Sequence, residues 1–539
     1  MQLPAMTTTP SAPPPDPAGG PELAVADGLA VPPPGGLALA ARIRLRIAIF
    51  IAGAAVMVLQ IVGTRIIGPQ FGAGMTVWTV LITITLVALA LGAFLGGRIA
   101  DRHPSPTAFA VVLLVAAATV GLVVPLRGPV LGWAWALGIR GGALAASSIL
   151  FLPPLLLLGM ISPFAVRLEA TGSGSAGRSA GRLYAISTAG SVAGAIAAGF
   201  FLVPLFRIPT LLLLLAATLA VAAVVAAAPT WQRRLAVAGA GIVLAAALPA
   251  WPRPMPPQLL AVRSHEGSDL RVVEHDGRRH LLMDQVVQSV VDAAGRPADK
   301  YAYHVAARVA LARPQARRAA VIGLGGGGLV TLLEEQGITV DGVDVAPEVI
   351  NLAREFFGLA IPPERLHPED GRIFLRRHPA TFDVVILDAF SGDRVAGALV
   401  SREGLAVAHD ALLPGGLLIL NTWGVDEQTG SPTATGAAIR GTLAAVFPEV
   451  IEVPAAGNCL FLASDRPIGP ARTDVELRTF DGARRFTWQL APPVAWPEAT
   501  VLTDDCNMVD VLDIARNDAR RVARREAMPL PVREALDWE

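Results

Sequence analysis

The chain has 539 residues, 53% of them hydrophobic and only 16% charged, with a mean hydropathy of +0.53. That is too long for one domain and too apolar for an ordinary water-soluble protein. Its 44 basic and 44 acidic residues cancel, which excludes a nucleic-acid binder driven by bulk charge. The charges are unevenly placed. Between Ile47 and Ala250 only Asp101 and Glu169 are acidic, and the other 42 carboxylates lie before or after that stretch. A membrane half is joined to a soluble half.

Residues 1–40 are rich in Pro, Ala and Gly and have no hydrophobic period, so they read as a disordered tail. The transmembrane domain is expected over 41–250. Apolar segments recur at about 45–63, 76–97, 108–126, 142–164, 184–205, 209–228 and 234–250, each near the roughly 20 residues that cross a bilayer. With the N-terminus inside, one face carries Arg42, Arg44, Arg46, Arg98, Arg102, Arg167, Arg178, Arg182, Arg233 and Arg234. The other carries Arg65, Arg127, Arg140 and Arg207. Ten arginines against four favour N-inside. Seven crossings would then leave the soluble half outside. The last segment is short and Ala-rich and ends at Pro249. Read as re-entrant or interfacial, it returns the soluble half to the cytoplasm, where that half is expected. Gly92/Gly96 and Gly190/Gly194 are small-xxx-small pairs suited to close helix packing.

A small β-rich region is expected over 251–300, with strands at Leu270–Glu274 and His280–Gln285 around an Asp276-Gly277 turn. From 301 to about 515 short apolar strands alternate with helices: Ala319–Ile322, Leu329–Gln336, Thr339–Asp344, Pro347–Phe357, Phe382–Asp388 and Gly416–Asn421. Such alternation implies an α/β Rossmann-like domain with a parallel sheet covered on both faces. Residues 516–539 read as a C-terminal tail. Cys459 and Cys506 are expected to be separate thiols.

The strongest local signal is Gly323-Leu324-Gly325-Gly326-Gly327-Gly328, set between a strand and a helix. Such glycines let backbone approach a ligand, and the helix N-terminus offers unpaired N–H groups. Asp344 ends the next strand about twenty residues on, where a ribose diol is held. Asp370 stands ready to accept from an adenine amino group. Asp388 ends the fourth strand, and Asp393 follows it. Carboxylates there suit a cationic substrate, or a base that deprotonates an ammonium. Asp393 reads equally well as a helix cap. No metal-ligand spacing is present.

These strand-end motifs, with Leu282-Met283-Asp284-Gln285-Val286-Val287-Gln288 and Tyr303-His304 upstream, resemble those of polyamine aminopropyltransferases (spermidine synthases). Arg65–Gly72, Leu91–Arg102 and Gly181–Thr188 are similar to the membrane section of multi-pass bacterial proteins of that kind, and Leu502-Thr503-Asp504-Asp505 fits the same group. The resemblance implies aminopropyl transfer from decarboxylated S-adenosylmethionine to a small cationic amine such as putrescine. It implies Gln288, Gly323, Gly325, Gly327, Asp344 and Asp370 around the nucleoside, Asp388 and Tyr303 at the reacting amine, and Asp393 and His304 on the substrate side. The nucleoside is a co-substrate, not a prosthetic group, and the partners implied are the lipid bilayer and a second copy in a homodimer. Two departures stand out: Gly326 occupies a position usually acidic in the family, and so does Ser391. They keep open an S-adenosylmethionine-dependent methyltransferase, or a non-catalytic nucleoside- or polyamine-sensing domain of a transporter.

Overall fold

The structure, a computed structural model, describes residues 39–537 except 73–74, 170–175, 248–254, 266–267, 299, 392–393, 427–428, 456–457, 469–494 and 510–511. Long apolar runs fold into seven helices: α1 (Leu39–Phe71), α2 (Met75–Arg102), α3 (Pro106–Trp135), α4 (Gly138–Glu169), α5 (Ala176–Ile196), α6 (Ile208–Ala226) and α7 (Pro229–Ala247). By length and composition, six of the described helices suffice to cross a membrane, the fifth through its π-helical extension to Leu202. The exception is α7. Its first turns hold Gln232, Arg233 and Arg234, although its 19 residues span about 28 Å at 1.5 Å per residue.

Glycines set the close crossings. A Cβ at Gly92 would fall 2.2 Å from Leu156 O, and one at Gly190 would fall 2.1 Å from Phe50 O. These contacts lay α2 along α4 and α5 along α1, where only a residue without a side chain fits. At one rim Arg46 meets Glu169 at 2.5 Å, Arg182 meets Glu169 at 3.6 Å, and Arg167 meets Asp101 at 3.2 Å. At the other rim Gln70 Nε2 donates to Leu131 O at 3.0 Å, and the Phe71 and Trp135 rings lie 6.0 Å apart. Helix α7 follows α3 in parallel: Gly239 sits against Leu114 and Ala220, and Ala246 against Gly121. The last helix therefore runs beside the others toward the second rim, instead of turning back as the sequence suggested.

The soluble half begins with a four-stranded antiparallel sheet in the order β1 (Leu259–His265), β2 (Ser268–His275), β3 (Arg278–Met283), β4 (Val286–Asp292). Its β2–β3 turn uses Asp276 and Gly277 at φ 50° and 68°, the conformation that a two-residue hairpin requires. Helix α8 (Lys300–Ala312) leads into a seven-stranded sheet in the order β12-β13-β11-β8-β5-β6-β7, interleaved with helices α9 (Gly328–Glu335), α10 (Pro347–Phe356), α11 (Gly371–Arg376), α12 (Gly397–Val400), α13 (Arg402–Ala411) and α14 (Ala434–Ala444). Its strands are β5 (Arg318–Ile322), β6 (Thr339–Asp344), β7 (Leu366–Pro368), β8 (Phe382–Leu387), β11 (Leu412–Thr422), β12 (Glu449–Ala455) and β13 (Asn458–Ser464). The ribbon β9 (Phe390–Ser391) and β10 (Arg394–Val395) stands apart. Strands β5 to β8 and β11 are parallel, and β13 returns antiparallel. Side chains alternate between two cores. Val321, Val384, Ile386 and Leu417 enter one, and Ile322, Val385, Leu387 and Leu418 enter the other. Burial on both faces explains why these strands are continuously apolar.

The C-terminal stretch is not a tail. Residues Ile514–Ala527 and Leu530–Asp537 form helices, here α15 and α16. Met528, Val532, Ala535 and Leu536 pack against Leu259, Val273 and Leu282, and Arg271 Nη1 caps α16 through the Ala535 and Leu536 carbonyls. Helix α15 joins the two halves. Its Arg521, 7% exposed, donates to Pro69 O and Gln70 O of α1 and to Asp284 O, and Asp518 pairs with Arg140 at 3.4 Å. The soluble half thus stands on the rim opposite Arg46 and Arg182.

Candidate active site

The sheet order reverses between β5 and β8, whose chain neighbours lie on opposite sides, and ligands of such sheets gather beyond the strands' carboxyl ends at that point. A cavity of about 800 Å³ opens there. Gln288, Gly323, Gly325, Asp344, Asp370 and Asp388 all line it. The glycine loop ends in Gly327 at φ 75°, which starts helix α9 (Gly328–Glu335) without itself reaching the cavity wall. Gly323, at φ 94°, lies where a Cβ would stand 2.2 Å from Asp388 O, so its bareness lets the ends of β5 and β8 close together.

Asp344 accepts from Leu324 N at 3.0 Å and Ala346 N at 2.9 Å. Burial pushes its carboxyl above the usual range, and those N–H groups partly counter the push. Asp370 caps helix α11 (Gly371–Arg376) by accepting from Ile373 N at 2.9 Å. Arg372 of that helix grips Asp504 through two bonds of 2.8 and 2.7 Å, and Ser401 Oγ adds a third at 2.6 Å. The Arg372 bond leads in holding the Asp504 carboxyl down at about 2. The Leu502–Asp505 stretch therefore fixes the strap that carries Asp370.

Asp388 Oδ2 accepts from Tyr301 Oη at 2.9 Å, and Oδ1 accepts from Asn421 Nδ2 at 2.7 Å. Asn421 Oδ1 in turn accepts from Asn458 Nδ2 at 2.9 Å. An amide relay thus runs from β13 through β11 to β8. All four residues line the cavity, together with Trp423 and Arg524.

Two readings from sequence need correction. Tyr303 is 2% exposed in the core beneath the sheet and does not reach the cavity, whereas Tyr301, two residues earlier, does. His304 is likewise buried off the cavity, and burial pushes its imidazole down to about 3. On α8, residues 301 and 303 point about 200° apart at 100° per residue, so only one of the two tyrosines can face the site. Asp393 lies outside the described residues. Gly326 has a packing reason: a Cβ there would stand 2.9 Å from the Phe357 ring and 3.1 Å from Ser289 Cβ. An acid at 326 has no room. Asn421, Asn458, Trp423 and Arg524 were not singled out from sequence, although a polar residue closing the apolar run Leu417–Leu420 is the signal that marks Asn421. Cys459 is buried, with its thiol pushed up to about 12, while Cys506 is exposed; both are free. Among the described residues no cluster of His, Cys, Asp and Glu is placed to hold a metal.

No family model matches the chain. It is 30% identical over 155 residues to the polyamine aminopropyltransferase of Vibrio vulnificus, covering 27% of this chain and 52% of that one. It is 27% identical over 157 residues to the spermidine synthase of Schizosaccharomyces pombe, covering 28% and 52%. Against the polyamine aminopropyltransferase of Mycobacterium tuberculosis it is 34% identical over 180 residues, 30% and 33% of the two chains. The chain spans about half the length, or less, of these relatives. A solved spermidine synthase in complex with the transition-state analogue AdoDATO matches with 17% identity and a TM-score of 0.36, over 52% of this chain and 88% of that one. The spermidine synthase of Thermotoga maritima gives 18% and 0.35, over 52% and 87%. Scores that low carry no functional argument. The sequence likeness is to polyamine aminopropyltransferases, over a part of their length.

Proposed function

We propose that the chain is a membrane-anchored aminopropyltransferase that moves an aminopropyl group from decarboxylated S-adenosylmethionine to an amine. One observation carries the reading. A strand-end carboxylate, Asp388, is held on both oxygens by Tyr301 and Asn421 and faces a glycine-loop nucleoside pocket. In this reading Gly323 and Gly325 let the backbone approach the nucleoside, Asp344 takes the ribose hydroxyls, and Asp370 and Gln288 contact the rest of it. An amine arrives as an ammonium and must lose a proton before its lone pair can attack. Asp388 takes that proton. The nitrogen then bonds to the carbon beside the sulfonium, the C–S pair returns to sulfur, and neutral methylthioadenosine leaves. Tyr301 and Asn421 aim the Asp388 carboxylate and are positioning residues.

The test is methylthioadenosine release by the full chain in detergent, given decarboxylated S-adenosylmethionine and an amine. Methyl transfer from S-adenosylmethionine, with no methylthioadenosine from the decarboxylated donor, refutes the proposal.

Orientation is part of it. Ten arginines on the rim of Arg46 support a cytoplasmic N-terminus, and the soluble half docks on the other rim. That combination supports a catalytic half outside the cytoplasm, where the donor has to be delivered, in place of the cytoplasmic location suggested by the sequence. Cys506 is exposed and Cys459 buried. A membrane-impermeant maleimide should therefore label Cys506 in intact spheroplasts. Labelling only after lysis puts the soluble half in the cytoplasm.

A further inference from the structure

An apolar path leads away from Asp388. Phe390 follows it by two residues, and the Phe390 ring lies 5.2 Å from that of Trp423. Both rings line the main cavity. Trp423 also lines a second cavity, of about 370 Å³, and so do Val286, Val287 and Arg524 of the main one. The two cavities therefore adjoin across a common wall. The second reaches Gln70 and Trp135, on the membrane rim where the soluble half docks.

The linings differ. The main cavity mixes polar and apolar wall, whereas most of the second cavity's surface is apolar. Trp135, Val287, Trp423, Met528 and Val532 contribute to it. Four arginines of α15 border it too, and none of them is without a partner. Arg521 donates to three backbone carbonyls. Arg525 bonds the Gln285 side chain and lies 4.8 Å from the centre of the Trp135 ring. Arg520 and Arg524 lie 3.7 and 4.3 Å from the centre of the Trp423 ring. A guanidinium so engaged offers a ligand mainly its methylene stem. The volume falls within the range of about 300–1,000 Å³ usual for small-molecule sites, which favour junctions between domains.

We propose that the acceptor is an amphiphilic amine, its nitrogen at Asp388 and its alkyl chain running past Trp423 into the second cavity. This rests on the aminopropyl-transfer reading and narrows it; the bonds made and broken are those already given. Each methylene taken out of water there adds affinity that a short amine lacks. Two sources share the chemistry, an amine dissolved in water and a long-chain amine lying in the bilayer with its head at the rim.

The experiment separates binding from turnover. The full chain in phosphatidylcholine nanodiscs, saturated with methylthioadenosine, is titrated calorimetrically with n-butylamine, n-hexylamine, n-octylamine, n-octanol and putrescine. Heats into empty nanodiscs are subtracted. Affinity should rise about 3- to 4-fold per methylene from butyl to octyl, and n-octanol should bind more weakly than n-octylamine. Ala527, exposed at the end of α15, lines the second cavity. Ala527→Trp should fill that space and flatten the chain-length series, with n-butylamine and methylthioadenosine affinities unchanged. An equally steep series in the folded variant overturns the inference. So does a flat series in the native chain, n-octanol matching n-octylamine, or putrescine binding most tightly, even if the variant does not fold. Turnover is then followed with decarboxylated S-adenosylmethionine and either n-octylamine in water or hexadecylamine in phosphatidylcholine vesicles. Methylthioadenosine release with n-octylamine assigns a dissolved acceptor, and release only with the hexadecylamine vesicles assigns one drawn from the bilayer. Chain-length selectivity with no release from any amine leaves the alkyl site standing and removes the transfer reading instead.

Discussion

The two sides of the main cavity are built in different ways. Over β5 and β6 a short stretch of chain does nearly everything. A glycine turn, the aspartate of the next strand and the cap of a nearby helix meet within Gly323–Gly371. Over β11 and β13 the wall comes from distant segments: Tyr301 on α8, Asn421 and Trp423 at the end of β11, Asn458 at the start of β13, and Arg524 from a helix past residue 513. The first side is acidic and shaped by backbone. The second is amide-lined and cationic. A nucleoside presents fixed hydroxyls and a fixed base, which backbone turns match well. No single motif carries the second wall.

Substitutions can sharpen or break this contrast. The largest effect is expected at its boundary. Asp388→Asn should lower kcat by about 10²–10⁴-fold with methylthioadenosine affinity nearly unchanged; loss of both together would make Asp388 a structural residue. Next comes Asp344→Asn, which under the proposed function would exchange charge-assisted bonds to the ribose for neutral ones. It should weaken nucleoside binding by roughly 10- to 100-fold and leave the amine preference intact. The pH dependence has a definite sign. Burial raises the Asp344 carboxyl, so nucleoside affinity should be full above that raised value and fall as the pH drops through it. Calorimetry across the acid range should show the fall starting above the ordinary aspartate value of about 3.9, and the asparagine variant should flatten it.

The tyrosines test the positioning role. Tyr301→Phe removes one bond to Asp388 and should cost kcat about 2- to 10-fold. Tyr303→Phe should leave kcat alone, and Tyr303→Ala should instead destabilise the fold by about 3–5 kcal/mol. Reversal of that pattern would return Tyr303 to the site. Smallest is Asp504→Asn, which loosens the bidentate hold of Arg372. A modest rise in the nucleoside KM is expected, read by steady-state kinetics. In the native chain, whatever stability this bond gives is complete above the ordinary aspartate range and lost only as the pH falls toward 2.

The same contrast explains what sequence could reveal. The parallel sheet was legible because strands buried on both faces leave unbroken apolar runs such as Phe382–Leu387. Five of the six residues expected around the nucleoside line the cavity, Gly327 standing one step back at the helix start. The glycines, Asp344 and Asp370 follow from strand–turn–helix spacing, and Gln288 from the resemblance. The wall over β11 and β13 was not legible, since Asn458 and Arg524 come to the cavity only through tertiary packing. The resemblance points to Tyr303 and not to Tyr301 because it gives a position along the chain and not the face of the helix. Helix α15 was read as tail because it has almost no apolar stripe; its hold on the fold comes from arginines on backbone carbonyls and tryptophan rings.

Arg521 bears on how the protein can be handled in isolation. Two of its three carbonyl acceptors, Pro69 O and Gln70 O, belong to α1, and the third is the Asp284 carbonyl, at a left-handed turn leading directly into the Val286–Ser289 wall of the cavity. Cutting the chain ahead of β1 to obtain a water-soluble fragment would strip the guanidinium of those two acceptors. The fragment would carry an under-bonded cation next to the turn that shapes the nucleoside wall. Its ligand affinities would report that injury along with the chemistry of the intact chain.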